Sequence, residues 1–133
     1  MEQRDIIKDQ IEQLGRVLGK LIANFFALKA EGNVDLAIET TNQQLKSELD
    51  LDTAVLANFN AQELEEYVKS KKLTDRHLDK LASYFFEIGN ANESEDRVKW
   101  FVAAKELLNL ADSHSDTLTF GRINLKNRIE DQL

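Results

Sequence analysis

Seven apolar residues at heptad spacing open the chain and constrain most of what it can fold into. Ile7, Ile11, Leu14, Leu18, Leu21, Phe25 and Leu28 follow one another at steps of four and three. That spacing gathers side chains onto one stripe of an α-helix. Ile6, Val17, Ile22 and Phe26 flank the stripe, so it is wider than a zipper seam and reads as the core side of a bundle helix. A helix over about Gln3 to Ala30 would be roughly 40 Å long. Gly15 and Gly19 stand four residues apart within it. Each costs about 1 kcal/mol relative to alanine in a helix interior, which predicts close approach by another helix, in one version from a second subunit.

The same logic carries through the rest of the chain. Proline is absent, and no window alternates apolar and polar residues in the manner of a strand. Glu31–Asn33 reads as a turn, with Gly32 suited to the left-handed position that ends a helix. A second helix over about Val34–Leu49 buries Val34, Ala37, Ile38, Thr41 and Leu45. Asp52 caps a short helical turn whose neighbourhood supplies Leu51, Val55, Leu56 and Phe59 as a plug. A fourth helix, capped by Asn60, starts near Ala61, buries Leu64, Tyr67 and Val68, and ends in the cluster Lys69–Lys72, where cations offset the helix dipole. Thr74 caps a fifth, with Leu78, Leu81, Ala82, Phe85, Phe86 and Ile88 inside, and Gly89 with the polar Asn90–Ser94 stops it. The sixth, about Glu95–Ala111, is apolar nearly all round and therefore central. A seventh, about Thr117–Asp131, sends Leu118, Ile123, Leu125 and Ile129 to the core.

The expectation is one all-α domain over residues 1–133, with six to seven helices and a long N-terminal helix. Antiparallel hairpins over about 3–49 and 74–131 would be joined by short helices over 52–72. A chain of 133 residues suits a single domain. Without cysteine there is no disulfide, thiolate metal site or cysteine nucleophile. The polar opening MEQRDIIKDQIEQ does not read as a secretory signal. The longest apolar run, Leu21–Leu28, contains Asn24 and falls far short of the roughly 20 residues that span a bilayer. A cytoplasmic protein without membrane contact is expected. A net charge of −7, with nine acidic residues and only Lys46 between Glu31 and Glu66, argues against nucleic-acid binding.

One phrase is written twice. LGKLIANFFAL at Leu18–Leu28 returns as LDKLASYFFEI at Leu78–Ile88, so both Phe25–Phe26 and Phe85–Phe86 are expected to face inward from the leading helix of a hairpin. Repeated units of this kind mark stacked helix pairs. FFALKAEGNVDLAIETTNQQLKSELD resembles a tetratricopeptide repeat, with Gly32, Asn33, Ala37, Ile38 and Glu39 in its pattern and Leu49 and Asp50 near its end. NANESEDRVKWFVAAKELLNLAD resembles it less, and neither copy has the repeat's terminal proline. The chain is also similar to a group of short bacterial helical proteins without an assigned activity, through Ile7–Lys20, the leucine- and aspartate-rich middle and the closing hairpin. These resemblances imply a short solenoid or bundle and no chemistry.

Side chains suited to catalysis are few. His77 and His114 read as surface histidines, His77 on the outer side of the fifth helix and His114 in a turn between Asp112 and Asp116. Neither has a metal ligand set around it. Asp96, Glu87 and Glu106 lean inward but have lysines one turn away, and Trp100, Tyr84 and Tyr67 read as core. No catalytic residue, cofactor or metal is expected. A non-enzymatic module that binds a protein or peptide follows, with Lys20 and Lys80 as rim contacts to an acidic partner. In its self-associating form, the stripe and the glycines Gly15 and Gly19 join two copies. The alternatives are a helical bundle for a small molecule or lipid, with the sixth helix facing a cavity, or an enzyme of unrecognised type. An acidic mimic of nucleic acid ranks below them.

Overall fold

A computed structural model of the chain describes residues 2–115 and 119–133, with side chains from Lys8 onward. The described residues form seven α-helices: α1 (Glu2–Ala30), α2 (Val34–Leu49), α3 (Thr53–Asn58), α4 (Ala61–Lys71), α5 (Asp75–Ala91), α6 (Asp96–Ser113) and α7 (Phe120–Gln132). No strand occurs among the described residues. The all-α architecture, the long first helix and the helix count are those expected. Contacts gather into two compact units, Met1–Thr53 and Ala54–Leu133.

In the first unit the chain reverses at Gly32, whose φ of 98° suits a residue without a Cβ. The Asn33 side chain then caps α2 by accepting the Leu36 N–H at 3.1 Å. α1 packs along α2, with Leu18, Leu21, Ile22 and Phe25 buried on the one and Ala37, Thr41 and Leu45 on the other. The expected Val34 and Ile38 are only half-buried. Phe26 departs further from expectation: it is 40% exposed, whereas Phe25 is fully covered. Consecutive helical residues diverge by about 100°, so one neighbouring helix covers one of them and not both.

α2 and α4 stop by the same device, without glycine. Asp50 and Lys72 adopt left-handed backbone angles, φ 53° and 57°. In each case the next residue's N–H returns to a carbonyl of the last helical turns, Leu51 to Leu45 six residues back and Leu73 to Val68 five residues back. A side chain in that conformation costs roughly 1–2 kcal/mol. Burial of Leu51 and Leu73, each at most 5% exposed, offsets it.

In the second unit α5 packs against α6, α7 lies on both, and α4 touches α6. Asn60 and Thr74 cap α4 and α5 as expected, each through a reciprocal capping box. The aromatic doublet of α5 is wholly internal. Phe85 meets Trp100 edge-on at 5.1 Å between centroids, and Phe86 lies 5.5 Å from Phe101. α5 passes Gly89 and ends at Ala91, within the polar Asn90–Ser94 stretch expected with Gly89 to stop it. A Cβ on Gly89 would stand 2.7 Å from Cε1 of Phe101, so the glycine is what lets Phe101 reach the α5 backbone. α6 is central to its unit, yet Val98 and Val102 lie on a solvent-facing edge, 48% and 43% exposed. Val55 and Ile123, expected inside, are also open to water, whereas Leu56, Leu125 and Ile129 are buried. Leu118 lies outside the described residues.

Candidate functional site

The two helices of the first unit differ in length, and that difference makes a groove. α2 has sixteen residues and so runs back along α1 for roughly 24 Å, to about the level of Leu14. Beyond it α1 continues without α2 beside it. At this step lies an open groove of about 760 Å³, lined on α1 by residues from Asp9 to Val17 and on α2 by Glu48 and Leu49. Leu14, Val17 and Leu49 are half-buried apolar residues. They line it together with the polar side chains of Gln10 and Gln13 and the charged ones of Asp9, Glu12, Arg16 and Glu48. Arg16 donates to Gln13 Oε1 at 3.0 Å.

The second unit holds a different constellation, a buried arginine. Arg122 is 3% exposed. Its Nε and Nη2 donate to the two carboxylate oxygens of Asp79, each at 2.8 Å, and Nη1 donates to Asp112 Oδ1 at 3.1 Å. Asp75 Oδ2 lies 3.6 Å from Nη2, and Lys126 also bonds Asp112. The cluster ties α5, the end of α6 and α7 together. The hydrogen bonds that Arg122 donates to Asp79 lead in raising its guanidinium further above its already high value, against the opposing effect of burial. For Asp112 burial pushes the carboxyl up, but the hydrogen bonds from Lys126 and Arg122 outweigh it and hold the group below its ordinary value. A fork-to-fork pair of this kind fixes geometry, and its acceptors are occupied by the protein's own cations. It is an anchor for α7.

Lys20 and Lys80 are both exposed, on α1 and α5. Lys20 is not among the residues lining the groove, and neither are Gly15 and Gly19; both glycines are half-buried on α1. His77 corrects the expected surface position. It is 4% exposed, and its Nδ1 accepts the Thr74 N–H at 2.9 Å, taking the place of the glutamate of an ordinary capping box. His114 is exposed in the turn after α6; the carboxylate of Asp112 is turned to Arg122 and Lys126, and Asp116 lies outside the described residues. Asp96 is exposed, and Glu87 and Glu106 are half-buried. Tyr84 and Trp100 belong to the core, as expected, while Tyr67 is half-buried.

Among the described residues no three His, Cys, Asp or Glu side chains are grouped so as to hold a metal ion. No described helix is long and apolar enough to cross a membrane. No protein family, curated protein or solved structure matches the chain.

Proposed function

We propose that this chain is a non-enzymatic protein-binding module, a tetratricopeptide-like helical scaffold that works through the groove of its first hairpin. The observation that carries the reading is the half-exposed floor of Leu14, Val17 and Leu49 within a charged border. An open trough with apolar anchors on helices is the setting in which peptide segments dock by their apolar face. The bound segment would remove those three side chains from water, at roughly 25 cal/mol per Å² of apolar surface covered. The border would set its orientation.

Retention from a lysate of the native host, compared between the unaltered chain and Leu49→Lys, tests this. A protein held in comparable molar amount by the first and lost with the second is the expected result, provided the circular dichroism melt of the variant is unchanged. Equal retention by both chains contradicts the reading.

A further inference from the structure

The proposal rests on the module reading above and adds the chemistry of the partner: we infer that the groove of α1 and α2 receives a basic amphipathic helix. Three features converge on this occupant. The first is shape. From Asp9 to Val17 the α1 side runs for roughly 12 Å, about two helical turns. Leu14 and Val17 stand three residues apart, one turn along α1, and Leu49 faces the same groove from α2. An incoming helix with apolar residues at intervals of three and four meets such a floor with one side and leaves the rest of its circumference polar.

The second is charge. Among the described residues, Asp9, Glu12 and Glu48 supply three carboxylates to the border and Arg16 supplies a cation, itself engaged by Gln13. None of the three carboxylates is paired with a cation among the described residues. The third is the end of α2. Its C-terminal turn closes at Leu49, so the negative pole of that helix lies at the groove and adds to the same field. Lysines or arginines flanking the apolar stripe of the incoming helix would complement this border. A carboxylate-rich partner, the type that Lys20 and Lys80 suggested, would be repelled by it.

The test uses the full chain, labelled with ¹⁵N, and a synthetic capped peptide of about four helical turns with leucines along one face and lysines elsewhere. Amide shifts are expected to concentrate between Asp9 and Val17 and at Glu48–Leu49. Glu12→Lys with Glu48→Lys should weaken binding by about tenfold or more. Glu93→Lys with Asp131→Lys, which changes the net charge equally at exposed sites of the second unit, should leave it within about twofold, apart from general screening. The inference is overturned by equal loss in both variants, by shifts scattered over the acidic surface, by preference for the same peptide with glutamates in place of lysines, or by absence of binding. It is also overturned if the chain self-associates through the groove and Glu12→Lys with Glu48→Lys abolishes that. Should the peptide fail while retention of a host protein still depends on Leu49, the partner chemistry falls and the module reading stands.

Discussion

Arg122→Met is expected to lower the free energy of unfolding by about 3 kcal/mol, read from urea titrations followed by circular dichroism. Removing one member of a buried ion pair typically costs about 3–5 kcal/mol, because the remaining charge is left without compensation. The lower end applies here: the side chains of Asp79 and Asp112 are 34% and 25% exposed, so water screens part of what the arginine leaves behind. Methionine fills much of the volume, which makes the loss mostly one of charge pairing and hydrogen bonds. Arg122→Lys should not restore stability, since a single ammonium cannot reproduce the two-pronged contact with Asp79. The sign of the pH dependence follows from Asp112. Its folded-state value is depressed, so its contribution is present above the ordinary carboxylate value near pH 4 and disappears as pH falls through the depressed one. The gap between the parent chain and Arg122→Met should therefore narrow in strong acid. A variant within about 0.5 kcal/mol of the parent at neutral pH would contradict the anchoring role.

The second large effect is an asymmetry between two doublets that look alike in sequence. Phe25→Ala, Phe85→Ala and Phe86→Ala should each cost about 3–5 kcal/mol, the usual loss for emptying a buried phenyl site. Phe26→Ala should cost under about 1 kcal/mol, as expected for a side chain already partly in water. The cause lies in the neighbours. α5 is flanked by both α6 and α7, and Phe86 is held between Phe101 and the Arg128 guanidinium, 4.6 Å from its ring centre. In its own unit α1 has α2 beside it, and Phe25 takes that side. Thermal melts of the four variants would decide it; a Phe26→Ala loss equal to that of Phe86→Ala would show that both copies are buried alike.

These contrasts mark what could be read from the chain itself. Helix boundaries were legible because their determinants are local. Thr74 and Asn60 announce helix starts by side-chain chemistry, Gly32 announces a reversal, and 3–4 spacing announces the rest. Burial was less legible wherever it depends on how many helices surround a given one, as for Phe26, Val98 and Val102. The groove was not readable at all. It arises from the difference in length between α1 and α2, and it is visible only once the two are laid side by side.

Two polar residues lie in the core against a different expectation or none: His77 reads as a surface residue, and Arg122 is not singled out. His77 lies in register with Leu81, Tyr84 and Ile88, at steps of four, three and four, so its place on the buried side was present in the spacing. The charged neighbours Asp75, Arg76, Asp79 and Lys80 disguised it. Arg122 likewise holds a core position with Leu125 and Ile129. A positive charge in an apolar register signals a buried ion pair, but its partner Asp79 is 43 residues away, and nothing local identifies it.

Site-specific photocross-linking in the native host tests the central claim most directly. A benzophenone side chain at Gln13, exposed at the groove, should yield one defined adduct with another protein on irradiation, and the same group at the exposed Asn127 of α7 should yield none. Adducts of equal yield and identity from both positions, or none from Gln13, would contradict the assignment of the first hairpin as the binding surface.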